Sequence, residues 1–160
     1  MKSITDGITR IVGGFLILLM AVMVLDVTWQ VFTRFILRNP SGFTEELAGF
    51  LLIWIGLFGA GYAYRVKAHL GIDVLTAKLT DRRKRVSEIL VASVVFLFAF
   101  FVLLIGGWRL VELTFTLKQI SAVMGIPMGY VYLVLPLTGL LFMYYSVYFI
   151  LEAMKEKKKL

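Results

Sequence analysis

Residues 38–54, RNPSGFTEELAGFLLIW, decide the fold. Asn39, Pro40, Ser41 and Gly42 break the chain, and an apolar run follows at once, with two adjacent acids, Glu45 and Glu46, at its lip. Paired carboxylates beside a membrane segment suit a proton or cation site. They equally suit the start of a helix, where acids complement the positive end of the dipole by about 0.3–1 kcal/mol each in exposed settings. Thr44 is an N-cap candidate for that helix. Neighbouring helical residues point about 100° apart, so the two acids do not easily converge on one ligand. The pair therefore divides. One acid is expected to lock the flanking segments through Arg34 or Arg38, and the other to face a partner subunit or the outer solvent.

The apolar run after Glu46 is one of four. The chain has 160 residues, 60% of them hydrophobic, and its mean hydropathy is +0.89. A soluble domain is about half apolar. The excess lies in four blocks of about 20 residues or more, the length that crosses a hydrocarbon core roughly 30 Å thick. The predicted spans are about 11–36, 47–64, 86–113 and 128–151. The opening MKSITDGITR followed by IVGGFLILLMAVMVL has the outline of a secretory signal. No small-x-small cleavage site follows it, so it is read as the first membrane helix. Span three could stay helical to about Leu117, more than about 45 Å, and should tilt or project beyond the lipid. Pro136 should kink span four. The fold class is an all-α membrane protein, a single integral membrane domain over residues 1–160.

The net charge of +7 is informative once placed. With four spans, both termini and the middle connection share one side, which holds 13 of the 17 Lys and Arg residues, including DRRKR and KEKKK. That asymmetry points both termini to the cytoplasm. The basic runs are read as topology signals facing anionic headgroups, not as nucleic-acid contacts. Between spans two and three, HLGIDVLTAKLTD sets Ile72, Leu75 and Leu79 on one face. It predicts a short amphipathic helix over about 70–79 on the cytoplasmic surface of the phospholipid membrane. His69 stands four residues before Asp73 and is read as its local structural partner.

With no cysteine and one histidine, thiol chemistry, bis-histidine haem and the common zinc sites are excluded. No cofactor and no catalytic constellation is expected. Inside the spans, Asp26, Gln30, Arg34 and Arg38 follow at i+4 steps and predict one polar ridge. Its structural reading is a seam against a neighbouring helix or subunit; its functional reading is an ion path through Asp26. Gly49, Gly56, Gly59, Ala60, Gly61 and Ala63 give span two a small-residue face that lets helix backbones approach. Trp29 and Trp54 lie deep and are expected to pack, and Arg109 with Glu112 is expected to form a local pair.

Two stretches carry a resemblance. VFTRFILRNPSGFTEELAGFLLIWIGLFGAGYAYRVKAHLGIDVL and the later QISAVMGIPMGYVYLVLPLTG resemble the small membrane subunit of tripartite ATP-independent periplasmic (TRAP) transporters, the DctQ-like family. Together they cover roughly residues 26–141. The pattern is Arg34–Phe35, then Pro40, then an aromatic, one residue and two acids (Phe43, Thr44, Glu45, Glu46), then Trp54, then His69 and Asp73. Phe43 stands where the family usually has tryptophan, and ISAVMGIP replaces the usual threonine–proline segment.

The resemblance implies a non-catalytic subunit of the bacterial inner membrane. It implies a large multi-spanning membrane partner that carries the substrate and sodium sites and moves as an elevator. It also implies a periplasmic binding protein that delivers an organic acid such as sialic acid or a C4-dicarboxylate. The small subunit would enlarge the static scaffold. Asp26, Gln30, Arg34, Glu45, Glu46, Gly56, Gly59 and Ala60 are the interface candidates. Arg38, Glu45, Glu46, Lys118 and Gln119 are the outer docking candidates. The alternative is a self-sufficient small proton-coupled exporter that uses Asp26 or the Glu45/Glu46 pair.

Overall fold

The computed structural model describes residues 2–39, 41–66 and 81–156. The interfacial helix expected over 70–79, with His69 and Asp73, lies outside the described residues, as does Pro40. The helices are α1 (Lys2–Phe35), α2 (Gly42–Arg65), α3 (Asp81–Phe98), a π-helical segment (Ala99–Gly106), α4 (Gly107–Thr116), α5 (Met128–Tyr132) and α6 (Val134–Glu156). The described residues contain no strand beyond one isolated bridge, Ile120 to Pro127. Lys2–Phe35, Gly42–Arg65, Lys84–Thr116 and Met128–Lys155 are each long and apolar enough to cross a membrane. The chain is an all-α, multi-pass membrane protein.

The spans pack as two antiparallel pairs. α1 lies along α2, and the long third span lies along α6; the pairs are joined where α2 meets α6. Phe15 sits edge-on to Phe58, with ring centroids 5.4 Å apart, and near Trp54 at 6.3 Å. α2 and α6 each lie between two neighbours, and α6 contributes the most buried positions among the described residues: Val134, Thr138, Tyr145 and Ser146 are fully enclosed. Ile17, Leu25, Leu90 and Phe101 point outward from the other spans. In a bilayer such side chains meet acyl chains as apolar as themselves.

The second pair is the closer one, and glycine makes it so. A Cβ on Gly107 would come 2.7 Å from the Leu135 Cβ and 3.2 Å from the Pro136 ring. Across the same contact, a Cβ on Gly139 would come 3.0 Å from the Leu104 nitrogen. The π-helical segment sits at this crossing, where its wider i→i+5 turns keep Ala99, Leu103, Gly107 and Val111, all buried, on the side facing α6. An α-helix drifts by about 40° over each four-residue step and would carry Val111 round the helix.

Span four is broken where Pro136 demands it. The proline has no N–H to give its i−4 carbonyl, and the helix is interrupted at Leu133, between α5 and α6. The Trp54 indole Nε1 donates to the Val131 carbonyl at 3.1 Å, so α2 covers a polar group beside the break. Trp54 thus packs as expected. Trp29 does not: it is exposed and stacks on Phe32 with centroids 5.6 Å apart. We predict that Gly107→Ala and Gly139→Ala each lose about 1–3 kcal/mol through forced backbone separation. That outweighs the roughly 1 kcal/mol that alanine gains in a helix interior. Gly56→Ala, with nothing within 4 Å of its Cβ, should show no such loss. Thermal unfolding in detergent measures all three.

Candidate functional site

The polar groups gather at the two ends of α2. At the end away from the termini, the chain between α4 and α5 folds into a closed loop. Met128 N–H donates to the Gln119 carbonyl at 2.9 Å, Ser121 N–H to the Ile126 carbonyl at 2.8 Å, and Ile126 N–H back to Ser121 Oγ at 3.1 Å. Gly125 turns the tip with φ of 66°, in the left-handed region that glycine enters without strain. The amides of Ala122, Val123 and Met124 then point the same way, a concave arrangement suited to an anion.

Glu46 fills it. Its Oε1 accepts from Ala122 N–H at 2.9 Å, and its Oε2 accepts from Val123 N–H at 3.1 Å and Met124 N–H at 2.7 Å. Such bonds to a charged acceptor are roughly twice as strong as neutral ones. The Val123 side chain lies beside the bare Cα of Gly42, where a Cβ would sit 3.5 Å from it. The expected arginine partner of the acid pair is therefore replaced by loop backbone. Glu45, one residue away, is exposed, so the two acids do divide. The N-cap also differs from expectation. The helix starts at Gly42 behind Ser41, and Thr44 is buried in its first turn with its hydroxyl on the Ser41 carbonyl at 2.9 Å.

At the terminal end, Arg65 closes α2. Its guanidinium pairs with Asp6 Oδ1 at 3.0 Å and lies 4.8 Å from the Tyr148 ring centroid. Around it Thr5 and Tyr144 share a hydrogen bond of 3.0 Å, Thr9 and Tyr145 one of 3.2 Å, and Tyr64 and Ser146 one of 3.2 Å. The bonds of Thr5 and Thr9 hold the first turns of α1, which is why that helix begins at Lys2 and not near Ile11.

Within this chain the predicted ridge does not pack against one neighbouring helix. Asp26 is 8% exposed, Gln30 half-buried, and Arg34 and Arg38 exposed. Steps of four residues precess by about 40°, so two steps carry the ridge about 80° round the helix from Asp26 to Arg34, and Arg38 lies beyond the helix end at Phe35. Asp26 Oδ2 has no hydrogen-bond partner among the described residues. The small-residue face also divides. Gly61 packs on α6, where a Cβ would meet Leu141 at 2.9 Å. Gly49, Gly56 and Gly59 have nothing within 4 Å, and Gly56, like Gly49, is exposed while Ala60 is half-buried. Gly56 and Gly61 lie about 140° apart on the helix.

Lys118 and Gln119 are exposed where α4 ends. Arg109 and Glu112 do not form an ion pair with each other, as Arg65 and Asp6 do. No three His, Asp or Glu side chains of the described residues converge as a metal site. Sequence reasoning missed the closed loop and its anion-binding amides. Ser121 and Gly125, four apart, were the available signal.

A family model described as "Tripartite ATP-independent periplasmic transporters, DctQ component" matches residues 23–156. The chain is 26% identical over 155 residues to the sialic acid TRAP transporter small permease protein SiaQ of Vibrio cholerae, covering 97% of this chain and 86% of that protein. It is 23% identical over 141 residues to a putative TRAP transporter small permease protein of Haemophilus influenzae, covering 88% and 86%. It is also 27% identical over 115 residues to the sialic acid TRAP transporter permease protein SiaT of Haemophilus influenzae, covering 72% of this chain but only 18% of that much longer protein. We predict that Glu46→Gln, which sets an amide donor against three amide donors, speeds hydrogen exchange at Ala122, Val123 and Met124. Glu45→Gln should leave those amides unchanged in the same mass-spectrometric measurement.

Proposed function

The chain belongs to the DctQ-component family of tripartite ATP-independent periplasmic transporters, and from that premise we propose that it is the static scaffold of a solute importer. The match across residues 23–156 carries this reading. Its partner is a large multi-spanning permease subunit. The relative SiaT supports that pairing, since a segment like this chain makes up 18% of a much longer permease protein. The large subunit carries the solute, an organic acid, and the coupling sodium ions, and it moves in an elevator-like manner. A binding protein delivers the solute from outside. This subunit is non-catalytic and holds no cofactor.

The site geometry supports the scaffold role. A static element needs internal stiffness and an open lipid-embedded face. Stiffness comes from the two fastened ends of α2. The open face of α2 carries Gly49, Gly56 and Gly59, with Ala60 at its edge, and glycines let a partner helix approach closely. The basic residues concentrate on the side of both termini, which supports the reading of an inner-membrane protein with cytoplasmic termini. The loop clasped by Glu46 then faces outward.

The test is assembly. Gly56→Leu and Gly59→Leu fill open space and should leave the isolated chain's unfolding temperature unchanged. Co-purification with the large subunit should fall by roughly tenfold, equivalent to about 1.4 kcal/mol. Undiminished co-purification would overturn the assignment of this face. The exporter reading rests on Asp26, whose Oδ2 is buried without a hydrogen-bond partner among the described residues. Purified chain that transports alone, with transport abolished by Asp26→Asn, would replace the scaffold reading with that one.

A further inference from the structure

The packing of this chain leaves two charges of the third span unused. Arg109 and Glu112 are both exposed, and neither side chain forms an ion pair or a hydrogen bond among the described residues. Both lie within the spanning helix Lys84–Thr116, about 10 Å and 6 Å before its end. Gly107, Val111 and Thr114 form the buried side of α4, which packs on α5 and α6. At about 100° per residue, Arg109 and Glu112 straddle the opposite pole of the helix, about 60° apart. They point away from α5 and α6, toward whatever lies outside the chain.

Charged groups within a membrane helix are costly, and they are met paired or in water. Arg109 and Glu112 stand at i,i+3, within reach of each other, but in the poorer order: the favoured pair has its acid N-terminal to its base. The nearest headgroups do not solve the problem either. Side chains lean toward the N-terminus of their helix, and α4 runs toward the loop end, so both charges lean back into the span. They need a partner that meets them within the lipid.

We propose that this face of α4 is a contact between two copies of the chain, in which Arg109 of each copy pairs with Glu112 of the other. Copies inserted with the same topology are related by a two-fold axis along the membrane normal, which sets their third spans side by side and parallel. Such a contact brings one patch against itself, so the patch must be self-complementary. Arg109 and Glu112 supply one charge of each sign, separated by about 4.5 Å in height, which two long side chains bridge. Two crossed pairs then leave no charge over. Trp108 and Leu113, exposed on either flank of the pole, give the contact its apolar rim. An anionic headgroup would answer Arg109 and leave Glu112 alone. The inference needs only that the third span crosses a bilayer; the open face of α2, where the large subunit is placed, belongs to another span. A contact this small is reversible, and excess lipid separates the copies by mass action.

The chain has no cysteine, so one introduced thiol reports alone. Thr116→Cys places it at the same pole of α4, at the exposed end of the span. Cells express the full chain with its large subunit, and their membranes are oxidised with copper phenanthroline. The reporter chain should give a disulfide-linked band of twice its own mass. Arg109→Glu and Glu112→Arg, each added to the reporter, set like charges across the axis and should each cut that band about tenfold. Expressed together, the two variants carry opposite charges and should restore it. Both should still co-purify with the large subunit, which shows that they fold.

A reporter chain that gives no doubled band overturns the proposal. So does a band indifferent to either charge reversal, or one that the mixed variants fail to restore. Loss of the large subunit from the single variants would also overturn it, by making that subunit the occupant of this face. If the reporter chain itself never binds a large subunit, the transporter reading fails, while the doubled band, its loss and its restoration still decide this one in membranes that hold the chain alone.

Discussion

One carboxylate ties the two halves of this chain together at the loop end. The spans form two antiparallel pairs, α1 with α2 and the third span with the fourth, joined along α2 and α6. At the loop end, Glu46 of the first pair accepts three amides from the loop that links the spans of the second. At the terminal end, Arg65 of the first pair reaches Asp6 on α1 and the Tyr148 ring on α6. α2 is therefore fastened at both ends and packed in the middle, with Trp54 covering the Val131 carbonyl beside the break in span four. An exposed ion pair alone contributes about 0.2–1 kcal/mol. The stiffness comes from three separated attachments that no single motion releases together.

The second pair is stiff for a different reason. Its two helices approach so closely at Gly107 and Gly139 that backbone touches side chain with no room for a Cβ. The π-helical segment keeps one side of the third span turned to α6 along its length. Such a contact is made of packing, and packing in lipid has no hydrophobic driving force behind it. Shape complementarity must supply the hold, and glycine, proline and a widened helical turn are the means here.

The sequence made the architecture legible because the lipid imposes it. Four apolar runs of spanning length read directly, and Pro136 foretold the break in span four, which falls three residues upstream at Leu133. The ends of the helices were less legible. α1 starts near Lys2 because threonine and tyrosine hydroxyls on distant helices meet there, which no local pattern encodes. The division of the two acids was legible from their angular separation, but the partner of Glu46 was not. Backbone amides carry no sequence label, so an arginine seemed the natural counter-charge. Within this chain the ridge from Asp26 to Arg38 does not pack along one neighbour, since four-residue steps drift round a helix of 3.6 residues per turn and α1 ends at Phe35.

The central claim is that this subunit stays rigid while the transporter works. Spin labels on Leu52 of α2 and Val94 of α3, both exposed, test it by pulsed electron paramagnetic resonance in the assembled complex. The account predicts one narrow distance distribution, the same with and without sodium, solute and binding protein. A second distance that appears during transport would contradict it.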